Sequence, residues 1–179
     1  VPVAAENLLT NPGFEDVEDG TPIGWQCGGF DWYAKPKGAG LSEVQLDESI
    51  VQGPGQRSLK LIADGNRGMV RQTLNYNPEW GRRLHLSAWI KLKNTGSVTA
   101  HVGISFIDDG EWLDQAGVHT SWKKSTADWE YFENEIQVPE ETTHMHVHCR
   151  SANPNDGIMW FDNLALRPLK KQEQDTEAQ

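Results

Sequence analysis

The sequence predicts an all-β protein: one domain built as a β-sandwich of two antiparallel sheets. Three observations predict it. Apolar residues recur at every second position over stretches of about five to nine residues, not at the 3.6-residue period of a helix. Gly, Pro, Asn and Asp punctuate those stretches, with 17 Gly and 9 Pro spread along the chain. The length, 179 residues, suits one domain, since domains average about 100–200 residues.

In chain order, Asn7-Leu8-Leu9 leads into the turn Asn11-Pro12-Gly13, and Gly24-Trp25-Gln26-Cys27 follows Thr21-Pro22. Strands are predicted over 41–51, over 57–63 with Leu59 and Leu61 on one face, and over 69–76. The clearest alternation runs from Arg83 to Leu92. Leu84, Leu86, Ala88, Ile90 and Leu92 share one face, and His85, Ser87, Trp89 and Lys91 the other. After Asn94-Thr95-Gly96, residues 100–107 turn Val102, Ile104 and Phe106 inward and His101, Gly103 and Ser105 outward. Asp108-Asp109-Gly110 ends that strand. A long connection is expected from Glu111 to Asp128, carrying Trp112 and Trp122. Residues 131–138 form a strand stopped by Pro139. Residues 144–150 alternate again, with Met145, Val147 and Cys149 inward and His144, His146, His148 and Arg150 outward. The last strand, 158–167, stops at Pro168. The domain is expected over 1–169, and the polar residues 170–179 as a disordered tail or linker.

Lys and Arg number 16 against 26 Asp and Glu, a net charge of −10. That balance argues against a nucleic-acid backbone as partner, which calls for a basic stripe, and disfavours strongly anionic polysaccharides. No apolar run approaches the ~20 residues of a membrane span. The start, Val1-Pro2-Val3-Ala4-Ala5, lacks a basic n-region and an apolar h-region, as in a processed protein or an excised domain. Cys27 and Cys149 permit one disulfide without requiring it.

Several stretches together resemble carbohydrate-binding modules. Asn7-Leu8-Leu9-Thr10-Asn11-Pro12-Gly13-Phe14-Glu15 followed by Pro22-Ile23-Gly24-Trp25 is similar to their opening. Arg57-Ser58-Leu59-Lys60-Leu61 and Leu86-Ser87-Ala88-Trp89-Ile90-Lys91 fall where those modules have similar segments. Met159-Trp160-Phe161-Asp162-Asn163-Leu164-Ala165-Leu166 resembles their close. From about Asn7 to Leu166 the chain looks like modules of families four, nine, sixteen and twenty-two. The resemblance implies a galactose-binding-like β-jelly roll. It also implies non-catalytic binding of a polysaccharide by a secreted, monomeric module beside an attached glycoside hydrolase. By the same resemblance one structural calcium is expected between the first and last strands. Glu15 and Asp162 would give side-chain oxygens, with backbone carbonyls near Gly13 and Lys60 completing a shell of six to eight.

A neutral plant- or algal-type glycan is the expected ligand. It offers hydroxyls and flat C–H patches, which suit aromatic faces and directed hydrogen bonds. The outward residues with that chemistry are Arg71, His85, Trp89, His101, Ser105, His146, His148 and Arg150. They line one concave surface if their strands share one sheet. Trp89 fits either a cleft-floor platform or a second apolar layer beneath a loop. Among aromatics expected in loops (Trp32, Tyr33, Trp80, Trp112 and Trp122), the pair Trp32-Tyr33 is the first binding candidate. Asp108, Asp109 and Glu111 read as a solvated acidic turn.

On a strand, His144, His146 and His148 face one way at about 6.5–7 Å spacing. Two of them with His101 or His85 could make a three-His zinc or copper site, but hydrogen bonding to hydroxyls or solvent is the favoured role. No Gly-x-Ser-x-Gly elbow or phosphate-cradling loop is present, so no catalytic residue is expected. Two different classes remain as alternatives: a small jelly-roll lyase or hydrolase, and a protein-interaction domain of the same fold.

Overall fold

A computed structural model of the chain describes residues 5–27, 43–65 and 68–169. Twelve strands lie among them. They are β1 (Val17–Glu18), β2 (Thr21–Pro22), β3 (Gln26–Cys27), β4 (Glu43–Asp47), β5 (Ser58–Ile62) and β6 (Met69–Asn75). A single 3-10 turn, Pro78–Trp80, precedes β7 (Arg83–Lys93), β8 (Ala100–Asp108), β9 (Glu111–His119), β10 (Ala127–Gln137), β11 (His144–Ser151) and β12 (Ile158–Pro168). One five-stranded sheet runs β3-β6-β11-β8-β9, and the other runs β10-β7-β12-β5-β4. Every pairing is antiparallel. No helix among the described residues is long and apolar enough to cross a membrane.

The inward face of each strand makes the core. Leu84, Leu86, Ala88, Ile90 and Leu92 of β7 meet Val102, Ile104 and Phe106 of β8 and Met145 and Val147 of β11, all at most 1 % exposed. Each large apolar side chain so buried stabilises the fold by about 1.5–3 kcal/mol. β12 keeps Met159, Phe161, Leu164 and Leu166 inside only because it bulges between Asp162 and Ala165. Asn163, at φ 46°, takes the bulge and ties it to the chain with an amide N–H donated to the Gln52 carbonyl at 2.5 Å.

Two expectations change. The connection predicted from Glu111 to Asp128 is mostly sheet. Asp109 and Gly110, both at positive φ, form a two-residue hairpin of the kind Asp-Gly favours, and β9 pairs back along β8. β9 is an edge strand with a register shift, so its apolar side, Leu113, Ala116 and Val118, loses strict alternation. β10 likewise begins at Ala127, not Tyr131. The open question of the cysteines is answered by register. Cys27 and Cys149 both pair with Val70, one on each side of β6. Two strand spacings, about 9.5 Å, exceed the reach of a disulfide, and both are free thiols. Residues 7–9 are not a strand; Leu8 N–H donates to Leu166 O at 2.8 Å and Asn7 Nδ2 to Leu164 O at 3.0 Å, docking the segment on β12.

Candidate functional site

The outer face of the β6-β11-β8-β9 sheet carries four rows of side chains in register. The first row is Met69, Arg150, His101 and His119. The second is Arg71, His148, Gly103 and Gly117, extended on β3 by Gln26. The third is Thr73, His146, Ser105 and Gln115, and the fourth Asn75, His144, Ile107 and Trp112. Rows lie about 7 Å apart and strands about 4.8 Å apart. Six of the residues predicted for one surface, Arg71, His101, Ser105, His146, His148 and Arg150, are therefore brought together.

His85 and Trp89 do not join them. Both sit on β7, in the other sheet and on its outer side. His85 Nε2 lies 3.1 Å from Glu133 Oε2, and Trp89 packs on Tyr131 with ring centroids 5.4 Å apart. Their alternation matched that of His101 and Ser105, but alternation does not say which sheet a strand enters. Trp32 and Tyr33 fall outside the described residues. Trp112, expected in a loop, stands on β9 beside Ile107, 60 % exposed at the end of the fourth row. Trp80 packs on Tyr76 and Trp122 lies in an exposed turn. The edge strand adds His119 and Gln115, which sequence reasoning missed because β9 read as a connection.

The second row contains the depression of the face. An added Cβ at Gly103 would sit 2.4 Å from His148 Cε1, so the imidazole lies across the space a larger residue would fill. Gly117 beside it also lacks room for a Cβ, 2.4 Å from the Val102 carbonyl oxygen. A hollow of about 200 Å³ results, walled by His101, His119, His148 and Arg150. His148 is 2 % exposed, with Nε2 3.4 Å from Ser105 Oγ and Nδ1 without a partner among the described residues. Thr99 Oγ1 lies 2.6 Å from His101 Nε2, and His119 Nδ1 lies 3.0 Å from the Thr120 carbonyl. Arg71 donates from Nη2 to Gln26 Oε1 at 2.9 Å.

Burial holds His101, His146 and His148 neutral. Desolvation first, then Arg150 and His119, lowers His101 to about 4. Desolvation, then Arg71 and His144, lowers His146 to about 4. His148 falls to about 3 through desolvation and the charges of Arg150, His101 and His146. A neutral imidazole presents one donor and one acceptor, and a sugar hydroxyl, with one O–H and two lone pairs, can meet either. The three-His metal arrangement is not assembled: no group of three or more His, Cys, Asp or Glu among the described residues is placed to hold a metal ion. Guanidinium groups standing among the rings oppose a cation as well.

The carboxylates considered for calcium meet at the β12 bulge. Asp162, 1 % exposed, accepts from Gln52 N at 2.9 Å through Oδ2 and from Asn163 N at 2.7 Å through Oδ1. Glu15 Oε1 accepts from Gln56 N at 2.9 Å and Arg57 N at 3.1 Å. A Cβ on Gly13 would lie 3.9 Å from Asp162 Oδ1 and 3.8 Å from Glu15 Cγ, so the three residues are neighbours. Burial raises Asp162 to about 6, and the Glu15 charge adds to the shift. Two adjacent carboxylates, one buried, fit a hard cation. Lys60 pairs with Trp160, two residues from Asp162, and its ammonium goes to Asp47 Oδ2 at 3.6 Å.

No protein-family model matches the chain, and no curated protein matches it. Solved structures do. Family 16 carbohydrate-binding module-2 aligns at TM-score 0.61 and 18 % identity, over 89 % of this chain and 99 % of that one. The family 22 xylan-binding domain of Paenibacillus barcinonensis Xyn10C aligns at TM-score 0.61 and 18 % identity, over 96 % of this chain and 100 % of that one. The enzymatically active domain of bacteriophage CBA120 tailspike protein 4 aligns at TM-score 0.66 and 17 % identity, over 91 % of this chain but 21 % of that chain. The fold is thus the two-sheet antiparallel jelly roll that these solved structures share.

Proposed function

We propose that the chain is a carbohydrate-binding module that takes a polysaccharide along the β6-β11-β8-β9 face. The observation that carries this reading is the in-register set of imidazole, guanidinium, hydroxyl and amide side chains on that face, with exposed Trp112 at its end. Neutral histidines can donate to or accept from hydroxyls, and Trp112 offers an apolar plane for a ring's C–H face. The likeness to modules named as carbohydrate- and xylan-binding supports the same use of the fold. In this reading the chain is an extracellular monomer that holds an attached catalytic domain close to its substrate, so that weak binding is offset by proximity. Gly13, Glu15 and Asp162 hold a structural calcium that joins the first turn to the last strand, supplying charge where two carboxylates otherwise repel.

The test is titration with soluble polysaccharides, neutral and acidic, followed by Trp fluorescence, with reducing ends measured in parallel. Saturable binding without new reducing ends is expected. Chain cleavage would replace the module by a small enzyme, and a folded protein that binds no glycan would replace it by a protein-interaction domain.

A further inference from the structure

The four rows of this face carry no Asp or Glu. Asp128, Glu130, Glu133 and Glu135 lie on β10, in the opposite sheet, where Lys91, His85 and Arg83 meet three of them at 2.6–3.1 Å. The hollow of the first two rows is lined without a single Asp or Glu. Its one fixed charge is Arg150, which forms no ion pair among the described residues and whose Nε is buried without a hydrogen-bond partner. A second buried nitrogen, His148 Nδ1, lacks a partner in the same hollow. The natural complement of a guanidinium that lines a hollow without an ion pair is an oxyanion, above all a carboxylate that can face its fork.

The geometry points to a hollow that receives one acidic sugar, a uronate residue of the bound polysaccharide, with its carboxylate on Arg150. This rests on the glycan-binding reading and names the class of its ligand. The space supports a single ring: about 200 Å³ is the volume of about seven waters at about 30 Å³ each, below the ~300–1,000 Å³ of a site for a drug-sized ligand. The overall charge of −10 does not oppose it, because three of the β10 carboxylates are already met by Arg83, His85 and Lys91 and none lines the hollow. His101, His119 and His148 wall the space for the ring, and Arg150 sets which substituent is accepted.

The experiment compares oligogalacturonate and alginate oligosaccharides with the same oligosaccharides after carboxyl reduction, by calorimetric titration of the whole chain. A uronate form should bind at least about tenfold more tightly than its reduced form, the gain of one charge-assisted hydrogen bond, and the preference should shrink as salt rises. Arg150→Gln should abolish the preference, while Arg150→Lys should keep part of it. Equal affinity for charged and reduced forms, or binding confined to neutral glycans, overturns the uronate assignment and leaves the glycan reading standing. Binding of neither, with neutral polysaccharides silent too, overturns both. Should Arg150→Gln not fold, as judged by near-UV circular dichroism, the charged-against-reduced pair and its salt dependence still decide.

Discussion

Lowering the pH from 6 to 5 should destabilise the chain by about 2 kcal/mol, and the cleft histidines should cause it. In the folded chain His101 and His146 titrate at about 4 and His148 at about 3, against an ordinary 6.5. Between pH 6.5 and about 4 the unfolded chain therefore binds three protons that the folded chain refuses. The stability these groups contribute is fully present above about pH 6.5 and is lost as pH falls through the folded values. Asp162 opposes them. Its carboxyl is raised from 3.8 to about 6, so over roughly the same window the folded chain keeps a proton that the unfolded chain has released. Three against one leaves the unfolded state ahead by about two protons, or about 2.7 kcal/mol per pH unit. Solvent screening at the partly exposed His101 and His146 reduces this to about 2 kcal/mol. The melting temperature should drop by about 4–8 °C over that unit, at about 2–4 °C per kcal/mol for this chain length. Urea unfolding at pH 5 and pH 6 in chelator, followed by Trp fluorescence, measures it directly. The variant His148→Gln should remove one proton from the slope, about 1.4 kcal/mol per pH unit. A chain as stable at pH 5 as at pH 6, or an undiminished slope in His148→Gln, would refute the reasoning.

Two further outcomes are expected. Calcium at about a hundred times its dissociation constant should stabilise the chain by about 2.7 kcal/mol, seen as a higher melting temperature at pH 7.5. That gain should fade below pH 6 as Asp162 protonates, and Asp162→Asn should lose it, whereas an equal gain in the variant would place the ion elsewhere. The two sheets should also separate by mutation. Trp112→Ala should weaken glycan binding by about 1–2 kcal/mol through lost apolar contact and barely change the melting temperature, since its side chain is exposed. Trp89→Ala should cost stability by about 1 kcal/mol through the contact with Tyr131 and leave binding unchanged. The opposite pattern in a binding-and-melting comparison would put the glycan on the β7-β10 face.

What the sequence determined by itself is what a strand determines alone. Successive side chains of an extended chain point to opposite sides, so Leu84 to Leu92 and Met145 to Cys149 declared their inward residues without any knowledge of neighbours. Turn chemistry punctuated the strands for the same local reason, although Asp109-Gly110 turned out to start a hairpin and not merely to end a strand. Tertiary structure decided everything that depends on which strands lie side by side. His85 and His101 have the same local pattern, yet β7 and β8 enter different sheets, so one histidine meets Glu133 and the other walls the cleft. Gly103, Gly117 and His148 make a hollow only because β8, placed between β9 and β11, lines them up across three strands. Net charge is a sum over the chain and is blind to position. Only the assignment of strands to sheets keeps the acids of β10 out of the rows that hold Arg150, because the residues of one row come from strands hydrogen-bonded in one sheet.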